Sequence, residues 1–463
     1  MVAANVVIVS TEAGSTEAGS PGAGSGHSAV PARSVLRLAL PALAVLAAEP
    51  LYLLVDTAVV GHLGVVPLAG LAVAAVVFSQ VPAQLIFLSY GTTARTARLH
   101  GAGRRADAVA EGVQASWLAL LLGGLVLAGG QLAAGPLTGA LAGGGPVAAA
   151  ALSWLRIALL GAPFVLVTLA GNGWMRGVQE TARPVRYVLA GNALSALLCP
   201  ALVYGAGPVP RLDLDGSAVA NVAGQLVSAA LFARALLLEG VPLRPRWPLM
   251  RQQLGLAKDL LVRSLALQVC AISAAAVAAR TSAAAVAAHQ VVLQLWIFLA
   301  LVLDSLAIAA QSLVGAALGA GDPHRARAVA AGVTRYGLYF GLLLGVLFTA
   351  AEPVLPHAFT DDVAVLAQIP YAWWIFASLQ PAAGVVFALD GVLLGAGDAA
   401  FLRTSTVVAA VFGFLPLILA SLVFGWGLLG IWSGLAMFIL VRLVFAVLRV
   451  RGDRWAVTGA VRA

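Results

Sequence analysis

Charge is scarce in this chain. Asp, Glu, Lys and Arg account for 10% of 463 residues, while 61% are hydrophobic. That excludes a soluble fold, whose polar shell must face water on every side, and makes the bilayer the solvent. Cysteine is nearly absent: Cys199 and Cys270 both fall within apolar runs, so neither a disulfide framework nor a zinc site is supported. Alternating ten-residue strand patterns are missing, which excludes a membrane barrel. No phosphate loop, nucleophile elbow or metal-ligand cluster occurs at workable spacing, so nothing resembles an enzyme site and ion gradients are left as an energy source. The formal charge of +8 is carried almost wholly by arginines scattered between apolar runs. A nucleic-acid partner is therefore not expected, and a positive-inside pattern is.

What is present is a succession of long Ala/Leu/Val/Gly runs, each of the roughly 20 residues that a helix needs to cross about 30 Å of hydrocarbon. Charge clusters and Pro/Gly turns divide them into twelve spans, near 35–60, 68–94, 108–131, 148–175, 184–205, 216–238, 255–279, 286–316, 328–350, 369–395, 402–424 and 427–449. Residues 1–32 include the Gly/Ser/Ala-rich stretch STEAGSTEAGSPGAGSG, which reads as a disordered tail without the basic and apolar regions of a cleaved signal. The arginines sort to one side: Arg95, Arg98, Arg104 and Arg105 after span two, Arg176, Arg183 and Arg186 between spans four and five, Arg449 and Arg451 after span twelve. Both termini are expected to be cytoplasmic, in a multi-pass plasma-membrane protein.

The second half repeats the first at an offset of 218 residues (321 minus 103). That shift pairs Gly103 with Gly321, Pro163 with Pro381, Gly173 with Gly391, Gly177 with Gly395 and Glu180 with Asp398. The expected fold is an all-α polytopic membrane protein: a six-helix lobe over 33–240, a linker over 241–253, a second six-helix lobe over 254–450 and a cytoplasmic tail over 451–463. Because each half holds an even number of spans, the two copies share one orientation and a pseudo-two-fold axis along the membrane normal. Such an architecture implies a pathway between lobes that rock about a mid-membrane site.

Carboxylates at bilayer depth are costly and mark function by default. Glu49 and Asp56 lie seven residues apart on span one, two turns along one face. Their repeat equivalents are Leu267 and Ala274, so the acidic pair belongs to the first half alone. A buried carboxylate is easiest to accommodate protonated or paired with a cation, which suits a coupling element. Asp304 and Asp390 are second-lobe candidates, with Arg263 or Arg442 as structural partners. Polar residues available to line a pathway are Asn192, Ser195 and Asn221 on spans five and six, and Gln290, Gln294 and Gln311 on span eight, although helix-to-helix hydrogen bonding explains most such residues. Trp174, Trp296 and Trp373 read as interfacial anchors, with stacking on an aromatic or cationic ligand as the alternative.

Four segments together resemble the multidrug and toxic compound extrusion (MATE) family, in the branch related to DNA-damage-inducible protein F: PLYLLVDTAVVGHLG in span one, GWMRGVQETARPV between spans four and five, LLVRSLALQ opening span seven, and ALDGVLLGAGD closing span ten. The resemblance covers about 35 to 450. It implies a two-lobe transporter, functional as a monomer, that expels organic, often cationic or amphiphilic, small molecules in exchange for H+ or Na+, without a bound cofactor. By that resemblance Asp56 is the coupling carboxylate. Family members commonly carry an Asn and an Asp four residues apart on the fifth helix, where this chain has Ser195 and Cys199, so Glu49 is the acid at hand to replace the missing one. Asn221 stands where relatives often carry Thr. In other branches the coupling acids lie in the second lobe, which keeps Asp304 and Asp390 in view. The proton is the preferred coupling ion, because two nearby carboxylates without an oxygen cage suit shared protonation. The alternatives are a lipid-linked precursor flippase of related architecture and a membrane enzyme or receptor without transport.

Overall fold

The computed structural model describes residues 31–205 and 210–460. The expected tail over 1–32 lies almost entirely outside the described residues. The first lobe contains α1 (Ala32–Gly61), α2 (Val65–Leu85), α3 (Phe87–Gly101), α4 (Arg105–Ala142), α5 (Gly145–Leu159), α6 (Ala162–Gly177), α7 (Ala182–Tyr204) and α8 (Asp213–Leu238). The second contains α9 (Trp247–Thr281), α10 (Ala283–Gly319), α11 (Pro323–Ala351), α12 (Val363–Gly395), α13 (Ala399–Val408), α14 (Leu415–Phe424) and α15 (Gly427–Arg451). No strand occurs among the described residues. Helices α2 and α3 form one span and α13 and α14 another, giving eleven spans; the twelfth is the pair α5 and α6, bent by 49°. Twelve spans in two lobes result, and the breaks have local causes. Pro163 has no N–H for the carbonyl of Leu159, where α5 ends. Pro416 likewise frees the carbonyl of Phe412, inside the π-helical turn Ala409–Phe414 that joins α13 to α14.

The side chains of Asp322 and Asp362 cap α11 and α12 by accepting hydrogen bonds from the backbone N–H groups of Arg325 (2.8 Å) and Ala364 (2.8 Å). The connection between lobes is shorter than 241–253, because α9 already begins at Trp247. Trp174 and Trp373 are not interfacial anchors: they are 2% and 0% exposed, within the cores of the first and second lobes.

The pseudo-two-fold shows in close packing. A Cβ on Gly101 would stand 1.9 Å from the carbonyl oxygen of Ala316, and one on Gly319 would stand 1.9 Å from that of Arg98. Adding 218 to Gly101 and subtracting it from Ala316 turns the first contact into the second, so α3 and α10, equivalent elements of the two lobes, meet backbone to backbone across the axis. The repeated prolines also find their reason. Gly123 lies against Pro163, and Gly341 against Gln380 and Pro381, with a Cβ meeting Cα of the proline at 2.4 and 2.8 Å. Small residues at such crossings let helices approach where lipid supplies no hydrophobic drive.

The stretch after α15 is not a free tail. Trp455 is fully buried in the core that joins the lobes. Gly459 donates its N–H to Leu318 on α10 (3.0 Å) and accepts from Arg98 Nη1 on α3 (3.0 Å). Trp455→Ala is expected to lower unfolding stability by about 3–5 kcal/mol, the usual cost of emptying a buried Trp site. The thermal unfolding midpoint in detergent would show it, and an unchanged midpoint would mean that the tail contributes nothing to the fold.

Candidate functional site

Three helices of the first lobe build a polar chamber, each supplying residues four apart and so stacked on one face: Tyr52 and Asp56 from α1, Ser195 and Cys199 from α7, Ser217 and Asn221 from α8. All six are buried, and Asp56 has no exposed surface. The approach of α7 to α8 is close because Gly191 and Gly224 face each other, each Cβ position within 2.6 Å of the opposing backbone. In the upper tier Asp56 Oδ1 accepts from Ser217 Oγ (2.6 Å) and from the Cys199 thiol (3.2 Å), and Ser217 Oγ in turn accepts from Trp154 Nε1 (3.1 Å). In the lower tier the Tyr52 hydroxyl faces Ser195 and Asn221. Five buried polar atoms make no hydrogen bond of good geometry among the described residues: Asp56 Oδ2, Tyr52 Oη, Ser195 Oγ, Asn221 Oδ1 and, one turn along α7, Asn192 Nδ2, although the Tyr52 hydroxyl stands within electrostatic reach of Ser195 and Asn221. Buried polar atoms are rarely left so, and four of these five are oxygens gathered around one carboxylate. The arrangement is chemically suited to holding a proton on Asp56 or a small hard cation among oxygens.

Glu49 is not part of this chamber. The buried face of α1 runs through Ala48, Tyr52, Asp56 and Val60, and Glu49 is off it, exposed and without a polar contact among the described residues. Pro50, inside the helix, removes the N–H that would hold the preceding turn. The spacing of seven therefore does not produce an acidic pair.

Cys199, which the family resemblance sets against an acid, donates its thiol to Asp56. Tyr52, Ser217 and Trp154 were missed by sequence reasoning. Tyr52 had a readable signal, one turn from Asp56 on an otherwise apolar face. Ser217 had none, since it sits at the start of α8 directly after an acidic turn. Ser217→Ala leaves both Trp154 Nε1 and Asp56 Oδ1 one partner short. The expected loss is about 1–3 kcal/mol, read from denaturant unfolding; an unchanged midpoint would show that the relay does not form.

A second polar region lies between the lobes, along a cavity of about 560 Å³. Its walls come from α9, α10, α12 and α15, with Gln84 and Tyr90 from the first lobe. It extends from mid-helix away from the Gly101–Gly319 contact. Asp304 accepts from the Tyr90 hydroxyl (2.6 Å), a bond that joins the two lobes. Asp390 accepts from both Arg263 (2.6 Å) and Arg442 on a single oxygen, Oδ2. Gln311 donates to the Tyr90 carbonyl (2.7 Å). Gln290 and Gln294 are exposed and line no part of the cavity; α10 turns His289, Leu293 and Trp296 to it instead. The structure thus brings Asp304, Asp390 and Arg263 together and leaves the two glutamines out. None of the chamber residues around Asp56 lines this cavity, so the two regions are separate.

Comparison with known proteins places the fold. The MatE family model matches residues 41–201 and again 260–419, two blocks whose starts differ by 219 residues and whose ends differ by 218, which is the repeat read from the sequence. Protein DETOXIFICATION 44, chloroplastic, of Arabidopsis thaliana is 33% identical over 431 residues, covering 90% of this chain and 81% of its own. DNA damage-inducible protein F of Escherichia coli K12 is 32% identical over 426 residues, covering 89% and 90%. Among solved structures, a MATE transporter in its bent conformation superposes with a TM-score of 0.84 at 20% identity, over 91% of this chain and 95% of that one. An outward-facing multidrug resistance MATE transporter does so at 0.81, with 20% identity over 90% and 95%. With both halves matched by one family model, and with a relative one-third identical along nine-tenths of this chain, the chain belongs to the MatE family of efflux transporters and is not an enzyme.

Proposed function

We propose that this protein exports small organic molecules by alternating access, driven by the inward movement of a cation that binds at Asp56, the proton in preference to Na+. It does so as a monomer in the plasma membrane with the arginine-rich end in the cytoplasm. The observation that carries this reading is the enclosure of Asp56 in a first-lobe chamber with Oδ1 engaged by two donors and Oδ2 by none. An unpaired carboxylate at that depth is costly, and binding a cation removes the cost, so occupancy is linked to whichever lobe arrangement admits the ion. The chamber offers one carboxylate and three further side-chain oxygens, fewer than a hard metal cation ordinarily gathers, which favours the proton. Glu49, exposed on the same helix, serves in this reading at most as an entry group.

The test is transport in reconstituted vesicles with imposed pH or Na+ gradients, screened against aromatic cations, anions and neutral amphiphiles. A pH gradient at equal Na+ should drive accumulation, and a Na+ gradient at equal pH should not. Accumulation under Na+ alone would overturn the choice of ion, and accumulation under neither would overturn coupling itself.

A further inference from the structure

Positive groups outnumber negative ones at and just behind the inner end of the interlobe cavity. Arg263 and Arg442 line it together with Asp304 and Asp390, and Arg176, behind that wall, is within electrostatic reach of Asp304. Arg263 and Arg442 share one oxygen of Asp390, so a single carboxylate answers two cations. Among the described residues Arg176, 6% exposed, has no carboxylate in ion-pair contact, and its side chain reaches only the Ser89 hydroxyl (3.4 Å). Arginine does not give up its charge in proteins, so the surplus is permanent, and at membrane depth an uncompensated guanidinium is expensive.

The remaining polar atoms point the same way. Arg263 Nε, Trp432 Nε1 and both ring nitrogens of His289 are buried, belong to residues lining the cavity, and have no partner among the described residues. Either neutral tautomer of His289 donates one N–H. Unused donors packed within the wall, and surplus positive charge in and behind it, favour an acceptor carrying negative charge at this end of the cavity. Beyond it the surface is apolar, with Leu267, Trp296, Phe387, Leu435 and Phe438. A volume of about 560 Å³ suits one small amphipathic molecule rather than a two-tailed lipid.

We infer that the interlobe cavity is a binding site for an amphipathic organic monoanion, whose acid group sits against Arg263 and Arg442 with its apolar body between Trp296 and Trp432. This names the substrate class of the exporter proposed above and rests on that reading, although binding itself requires no gradient. It also reverses the cationic preference implied by the family resemblance. Both carboxylates in the cavity already accept hydrogen bonds, Asp304 from Tyr90 and Asp390 from two arginines, so a cationic ligand would have to compete for them.

The experiment is equilibrium binding to the purified full chain in phosphatidylcholine nanodiscs, read by quenching of tryptophan fluorescence. The probes are 1-naphthaleneacetate and the size-matched cation 1-naphthylmethylammonium. The anion should bind at least about tenfold more tightly than the cation, as expected for charge-assisted hydrogen bonds that only the anion makes. Arg442→Gln and Arg263→Gln should each weaken the anion about tenfold and leave the cation unchanged or tighter. Arg442→Lys and Arg263→Lys, which keep the charge, should retain most of the affinity and guard against a misfolded glutamine variant. Equal or tighter binding of the cation, or anion binding indifferent to all four substitutions, would overturn the assignment. So would competitive displacement of the probe by phosphatidylglycerol at the concentration of a native bilayer, which would make the site a lipid headgroup site. Gradient-driven accumulation of the bound anion in vesicles separates the two claims: anion binding without accumulation sinks the exporter reading alone, and gradient-driven cation export without anion binding sinks only the substrate class.

Discussion

Asp56→Asn should reduce gradient-driven export to the rate of protein-free vesicles while the protein still folds. Asparagine keeps the shape of the side chain, and its carbonyl oxygen still accepts from Ser217, so the Trp154–Ser217 relay survives. What it loses is the ability to alternate between a charged and a neutral form, the only free-energy difference by which a proton can bias the lobes. Replacement of a buried, unpaired carboxylate by a neutral isostere should leave the unfolding midpoint unchanged or raise it. Binding in the interlobe cavity should persist, because no residue of the chamber lines that cavity. The combination of intact folding, intact binding and absent coupling distinguishes loss of the ion site from general damage. Undiminished export by this variant would place the coupling ion elsewhere, with Asp304 as the next candidate.

Gly319→Leu should have an effect of similar size by a different route. A Cβ alone would stand 1.9 Å from the Arg98 carbonyl oxygen, and a backbone oxygen has no flexible end to move aside. The helices must separate by at least about 1 Å, at a cost of the 1–3 kcal/mol or more typical of overpacking. At 1.4 kcal/mol per factor of ten, that disfavours the closed arrangement of α3 and α10 by about ten- to a hundredfold. Beside the core that joins them, each lobe has a core of its own, so the protein should remain folded with the lobes held apart at the arginine-rich end. Spin labels at Ala102→Cys and Ala320→Cys would report it as a longer distance, and export should fall in proportion to the lost closed population. Gly101→Leu should do the same against Ala316, since the repeat makes the two contacts equivalent. An unchanged distance distribution in both variants would mean that this contact does not define the closed end.

The fold was legible because its signals are global. Apolar runs of span length, sorted arginines and a constant offset each survive errors at single residues, and the offset reappears in three dimensions as the paired Gly101 and Gly319 contacts. The twelve spans held even where helices broke, since Pro163 and Pro416 bend a span without ending it. The sites were legible only in part. Asp56 stood out because an acid in an apolar run is conspicuous, and Asn192, Ser195, Cys199 and Asn221 were named from polarity within spans five and six and from the family resemblance. Glu49 was misleading because an ideal period of 3.6 puts it beside Asp56, whereas the buried stripe of α1 winds with Tyr52 and passes it by. Gln290 and Gln294 failed for a related reason: the span's position was right, but which side of α10 faces the cavity depends on packing against α12 that local periodicity does not encode. The paired arginines on Asp390 required three helices, α9, α12 and α15, to be placed together, although each partner was named individually from the sequence.

The most direct measurement is the number of protons exchanged with bulk solvent when substrate binds to the purified protein, followed with a pH indicator in weak buffer. If Asp56 holds the coupling proton and substrate binding favours the lobe arrangement that releases it, the wild-type protein should release up to one proton per bound molecule and Asp56→Asn should release none. Equal proton release by the two proteins would contradict the assignment of the coupling ion to the first-lobe chamber.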